Sequence, residues 1–166
     1  MNHTTFRMAA LLLLGLGLGL PGSSLAQSQT PAGSPATTQA GVVKRTLGTV
    51  VVERAGQQQP AQPGMALLVG DTVRTGPGSA AGITLADDTL LTAGADSELV
   101  ISSFAFDPTS QEGNLLASLW RGTLHLVTGL IGKKTPEQVK VQTRTVVLGA
   151  RGTEFIVEAT QTVAAR

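Results

Sequence analysis

The chain has 166 residues, 12 Lys+Arg against 11 Asp+Glu for a formal charge of +1, and no cysteine. A nearly neutral balance lacks the basic footprint that nucleic acid demands and the polybasic cluster of an electrostatic membrane contact. Without cysteine, disulfides, thiolate metal sites and cysteine nucleophiles are excluded, as is an acylated cysteine anchor.

Met1 to Arg7 is a short polar segment with one positive charge, and Met8 to Leu20 is an uninterrupted apolar run broken by Pro21-Gly22. Small residues in Ser24-Leu25-Ala26 then precede Gln27. This order of regions predicts a secretory signal peptide over residues 1–26, cleaved after Ala26. The apolar run is shorter than the ~20 residues that span a bilayer, so no membrane span is expected after cleavage. Cleavage removes Arg7, the one charged residue before Gln27, and the +1 balance falls to zero. The expected destination is the periplasm or the cell exterior.

Residues 27–41, opening QSQTPAGSPATTQA, are small, polar and proline-containing, and read as a flexible leader. A β domain is expected over 42–160, with a tail at 161–166. Thr46 to Arg54 is strand-like, Gly56 to Gly64 reads as a loop, and Ala66-Leu67-Leu68 leads into a Val69-Gly70-Asp71 turn. Thr72 to Thr75 is a short strand ended by Gly76-Pro77-Gly78. Ser79 to Ala86 and Thr89 to Ala93 flank an Asp87-Asp88 hairpin tip. Ser97 to Phe106 forms the next strand, and Asp107 to Gly113 a turn. Asn114 to Val127 reads as a strand pair bent at Arg121-Gly122, with one alternative helical turn at Leu115, Leu116 and Leu119. Gln138 to Thr143 and Thr153 to Ala159 close the domain. Short strands with regular turn signals predict an all-β fold: sandwich, barrel or solenoid.

Gly-Thr precedes a strand three times, at Gly48-Thr49, Gly122-Thr123 and Gly152-Thr153. Glycine accepts the angles of a tight entry and threonine starts the pleated run. The unequal spacings exclude a true repeat, but the strands are expected to enter the sheet alike, as turns of a solenoid would.

The ordered motifs resemble the FecR domain, named after the regulator of iron-dicitrate transport. They are Gly48-Thr49-Val50, VGDTVRTG from Val69 to Gly76, Ser79-Ala80-Ala81, Ile83 to Asp87, Ser97-Glu98-Leu99, Trp120 to Leu124, and Gly149 to Phe155. The resemblance runs from Thr46 to Glu158 and implies a short-stranded, solenoid- or roll-like FecR domain. Gly70, Asp71, Thr75, Gly76, Gly122, Gly149, Arg151, Gly152 and Thr153 are its expected fold-determining residues. The family usually has Asp-Gly-Ser at the hairpin tip, where this chain has Asp87-Asp88-Thr89. A two-residue tip needs positive φ, which Asp tolerates at some cost. Better-known members span the membrane and control a sigma factor. With no cytoplasmic segment and no added receptor-facing subdomain read here, the resemblance implies a stand-alone exported domain.

Arg151, between Gly149 and Gly152, could serve an anion site, but a turn with Arg151 paired to Glu154 or covering the sheet edge explains it more simply. His125 alternates with Leu124 and Leu126 and reads as a solvated strand histidine, with no second histidine for zinc. Asp87, Asp88, Asp96 and Glu98 lack calcium-loop spacing and read as turn and strand carboxylates. No metal or cofactor is expected. The aromatics Phe104, Phe106, Trp120 and Phe155 fit core roles, with Trp120 partly exposed at the strand bend.

These readings predict a non-enzymatic interaction or sensing module whose partner is an envelope protein or cell-wall material. The expected contact surface is a terminal strand, Thr153 to Ala159 or Thr46 to Arg54, with Thr153, Phe155, Val157 and Trp120 as candidate partner-binding residues. The competing readings are a structural wall-associated domain, or a small hydrolase of envelope carbohydrate using carboxylates such as Asp87 and Glu98.

Overall fold

The computed structural model describes residues 38–149 and 153–160, so the expected signal peptide, most of the expected leader, Ala150-Arg151-Gly152 and the expected tail at 161–166 lie outside the described residues. Twelve strands form one curled sheet: β1 (Gln39–Leu47), β2 (Val50–Arg54), β3 (Gln57–Pro60), β4 (Ala66–Leu68), β5 (Thr72–Thr75), β6 (Ala80–Leu85), β7 (Leu90–Ala93), β8 (Glu98–Asp107), β9 (Glu112–Val127), β10 (Val139–Gln142), β11 (Val147–Gly149) and β12 (Glu154–Ala159). One short helix, α1 (Leu130–Lys134), and a 3-10 turn (Pro136–Gln138) follow β9.

The all-β expectation holds, but the expected solenoid turns are replaced by one curled, almost wholly antiparallel sheet. One half of the sheet runs β4-β1-β6-β7-β9-β12, and the other β3-β2-β5-β8-β9-β10-β11. Every pair is antiparallel except β9 with β10. The 16-residue β9 belongs to both halves: Glu112 to Arg121 pairs with β8, and Gly122 to Val127 with β12. Alternation is regular where both halves face the core, as in β6, where Ala81, Ile83 and Leu85 point inward. A single apolar cluster, including Val52, Val73, Leu99, Ile101, Ile83, Leu91, Leu124 and Leu126, fills the curl.

Two of the three Gly-Thr recurrences are corners; Gly152 of the third lies outside the described residues. At Gly48-Thr49 the chain leaves β1 in one half for β2 in the other, and at Gly122-Thr123 β9 makes the reverse passage. Gly48 (φ +70) and Gly122 (φ +83) take the left-handed conformation, which costs an L-residue roughly 1–2 kcal/mol. A serine from another turn caps each corner. The Thr49 N–H donates to Ser79 Oγ (2.9 Å) and the Thr123 N–H to Ser97 Oγ (3.0 Å). Two further crossings, β5 to β6 and β7 to β8, lie on the same line. They are stitched to the corners by Gly76 N–H to Thr49 O (2.9 Å), Asp96 N–H to Gly76 O (3.2 Å) and Gly94 N–H to Thr123 O (2.8 Å). Buried Thr75 completes the seam: its hydroxyl donates to Gly94 O (2.5 Å) and accepts from the Ser97 N–H (2.8 Å).

Away from the seam, the β4–β5 turn crosses between the halves and is held by Asp71, which is 1% exposed. Arg54 grips its carboxylate with two bonds, Nε to Oδ1 at 2.9 Å and Nη2 to Oδ2 at 2.7 Å, and also donates to Ala66 O at 2.8 Å. The Leu68 N–H donates to the same carboxylate (2.8 Å), and Gly70 N–H and Asp71 O bond the backbone of Ile101. The Asp71 hydrogen bond holds the Arg54 guanidinium above its ordinary pKa. Bidentate charge-assisted pairing of this kind joins β2, β4 and β5 in one network.

Several elements differ from their expected form. β1 begins at Gln39, ahead of the expected start at residue 42, because Ala40 and Val43 are fully buried in the core and the strand pairs β4 from Gln39. The expected Gly56 to Gly64 loop contains β3, a polar strand whose hydrogen bonding to β2 is invisible to hydrophobic periodicity. Asn114 to Trp120 is strand throughout. The hairpin tip has positive φ at Asp88 (+64), with Asp88 N–H donating to Leu85 O (3.1 Å) and Leu85 N–H to Thr89 O (2.9 Å). Asp87 is buried and accepts from both the Thr89 N–H (3.1 Å) and hydroxyl (2.7 Å), and that hydroxyl accepts from the Gly129 N–H (3.0 Å). The tip is thereby the landing point for α1.

Three substitutions test this account. A Cβ on Gly122 would lie 2.2 Å from Ser97 Oγ and 2.5 Å from Ser97 Cα, whereas one on Gly56, also at positive φ, meets nothing within 4 Å. Gly122→Ala should therefore cost about 2–4 kcal/mol and Gly56→Ala only about 1 kcal/mol in urea unfolding. Asp71→Asn should lower stability by about 2–4 kcal/mol: its one oxygen can still accept from Arg54 Nη2 and the Leu68 N–H, but the charge is lost and an NH2 donor faces Arg54 Nε.

Candidate interaction edge and adjoining notch

Four strands bound the described sheet. β3 is polar and ends in Pro60, which blunts it, while β4 and β11 have three residues each. β12 has six, contains no proline and pairs on one side only, with β9. The expectation of an edge at Thr46 to Arg54 is corrected for Val50 to Arg54, because the corner at Gly48 carries the chain into β2, which lies between β3 and β5; Thr46 and Leu47 pair β6 alone.

The backbone of β12 has a defined polarity. The Thr128 N–H donates to Thr153 O (2.8 Å), and Gly94, on the opposite side of β9, bonds Thr123. Antiparallel alternation then turns Phe155, Val157 and Ala159 toward β9 and leaves the N–H and C=O of Glu154, Ile156 and Glu158 facing the open side. The side chains alternate as well. Val157 is buried and Phe155 half-buried against the core, whereas Ile156 is 69% exposed between exposed Glu154 and Glu158. Of the candidate partner-binding residues, Phe155 and Val157 thus serve the core, Thr153 is exposed at the entrance of β12, and Trp120 is half-buried. Glu154 accepts or shares a proton with His125 Nε2 at 2.7 Å, so the expected solvated histidine is a half-exposed, paired one.

Beside β12 lies a notch. β10 follows β9 only as far as Gln142 opposite Ser118, and β12 reaches β9 only from Ala159 opposite Gly122. Leu119, Trp120 and Arg121 therefore have no strand on that side. The gap is a cavity of about 400 Å³ lined by Trp120, the Thr143-Arg144-Thr145 turn, and Glu158 to Thr160. The turn is self-bonded, with Thr143 Oγ1 accepting from the Thr145 and Val146 amides (3.4 and 3.2 Å).

The remaining acids do not converge. Asp87 is buried in the β6–β7 tip, and Glu98 sits at the seam in an ion-pair ladder that crosses four strands. Its steps are Arg74 to Glu53 (3.4 Å), Arg74 to Glu98 (3.2 Å) and Arg121 to Glu98 (3.6 Å). Of the fold motif, Gly70, Asp71, Thr75, Gly76 and Gly122 fall in the clasp and seam, Gly149 ends exposed β11, and Arg151 and Gly152 lie outside the described residues. Sequence reasoning missed Arg54, and it took Ser79 and Ser97 as motif residues without their capping role; the partners lie 17, 30 and 26 residues away and leave no local signal.

Comparison with known families decides the assignment. The model of the family described as FecR protein matches residues 71–165, more than half of the chain. The chain belongs to the FecR family. The matched stretch of this FecR domain starts at the Asp71 clasp and takes in three of the four seam crossings, both walls of the notch and β12. The strands before it, β1 to β4, complete the same sheet. No curated protein and no solved structure matches the chain. Among the described residues, no helix is long and apolar enough to cross a membrane.

Proposed function

We propose that this FecR-family chain is an exported, non-enzymatic sensing or interaction module of the cell envelope, and that it binds an envelope protein by accepting a strand along β12. The observation that carries the reading is the free side of β12: six residues, no proline and an outward-facing Ile156. An unpaired edge of this length is a template for strand addition unless something covers or blunts it. Glu154 and Glu158 flank Ile156, so the matching strand presents an apolar residue between basic ones. The family assignment supports the envelope role, and the charge pattern of the first 26 residues supports export. The hydrolase reading loses its support, since Asp87 and Glu98 are committed to separate structural networks.

In-cell crosslinking of the C-terminally tagged chain, followed by mass spectrometry, tests this. Ile156→Pro removes an outward N–H without touching a bond to β9, and a Glu154→Lys, Glu158→Lys pair reverses the flanking charge. Both should reduce capture of one envelope protein at least tenfold while the far-UV circular dichroism is unchanged. Equal capture by wild type and variants, or recovery of bare wall fragments alone, would overturn strand addition and favour a structural wall domain.

A further inference from the structure

The notch next to β12 adds Trp120 and Arg144, which strand addition does not use, to Glu158, which it does. Its floor is the unpaired side of the β9 corner, and the ends of β10 and β12 close it after three residues, Leu119 to Arg121. An extended peptide needs a continuous edge, so this gap does not continue a ladder. It is a pocket of about 400 Å³, within the range of small-ligand sites.

Trp120 contributes the one aromatic surface. Exposed Arg144 stands on one wall and exposed Glu158 on the other, with exposed Thr145 and Thr160 beside them. Among the described residues, neither the Trp120 indole N–H nor the Arg144 and Glu158 side chains have a hydrogen-bond or ion-pair partner. One cation and one anion at the same mouth favour neither an anionic nor a cationic guest, because each charge repels what the other attracts. A neutral guest that both donates and accepts suits the pair. Planar guanidinium and carboxylate groups bridge adjacent hydroxyls with paired bonds, and an indole face packs against an apolar C–H face while its N–H reaches a polar atom.

We propose that the Trp120 notch is a binding site for a neutral saccharide, with one sugar ring against the indole and its hydroxyls held between Arg144 and Glu158. The site goes beyond the strand-accepting role of β12; the two share Glu158, a β12 residue, and Arg144, which lies outside β12, separates them.

The composition provides a direct probe. The chain has one tryptophan and no tyrosine, so protein emission excited in the near ultraviolet reports on Trp120. The purified chain is titrated with the β-1,4-linked N-acetylglucosamine trimer, with maltotriose and with a neutral alanine tetrapeptide, each to about 10 mM, a range that captures millimolar affinity. A saturable emission change with a saccharide is expected, at least tenfold weaker in Arg144→Ala and in Glu158→Gln. Both substitutions are at exposed positions outside the core, and circular dichroism confirms their fold. No saturable response to either saccharide, a response undiminished in both variants, or a response to the peptide alone would overturn the proposal.

Discussion

Four chain crossings hydrogen-bonded into one line hold the two halves of this sheet against a common core. Each corner needs a backbone that takes positive φ and a side chain from elsewhere that satisfies the amide freed by the turn. Gly48 and Gly122 supply the first, and Ser79 and Ser97 the second. The serine hydroxyls satisfy part-buried amides that no strand pairs, so glycine and serine act as matched pairs across 26 to 30 residues. Thr75, a buried side chain, binds the crossings to one another through its hydroxyl.

The candidate sites follow from that line. Because β9 crosses the seam, it is the one strand shared by both halves, and its two segments receive different partners on the same side. β10 arrives parallel, after the α1 crossover that docks on the Asp87 tip. β12 arrives antiparallel from the other direction. Two strands running toward each other along a bent third leave a gap at the bend, and Trp120 stands there. The same geometry makes β12 an edge, since the curl continues no further on that side among the described residues. Edge and notch are thus two results of one corner.

Much of the fold was legible in the sequence. Alternation located β5 to β9, and the order of GDxxRT, Ser-x-Leu and Trp-Arg-Gly-Thr motifs, read as VGDTVRTG, Ser97-Glu98-Leu99 and Trp120 to Thr123, identified the family. Glycine before threonine marked the corners before their geometry was known. What stayed hidden was long-range or polar. β3 pairs through its backbone with four exposed residues, so no apolar pattern announced it. The interior position of β2 depends on β3 and could not be read while β3 was taken as a loop. Asp71 was picked out as a motif residue, yet its partner Arg54 lies in a different strand. In β12, alternation was visible, but which face met the core was not, and Phe155 and Val157 proved to be its inward residues.

Native-state hydrogen exchange tests the central claim most directly, because it reads the seam and the edge in one experiment. The account predicts that the amides of Thr49, Gly76, Ser97 and Thr123 exchange only through global unfolding. It also predicts that Phe155 and Val157 are protected, whereas Glu154, Ile156 and Glu158 exchange freely. Seam amides exchanging through local opening, or protection of all five β12 amides alike, would contradict it.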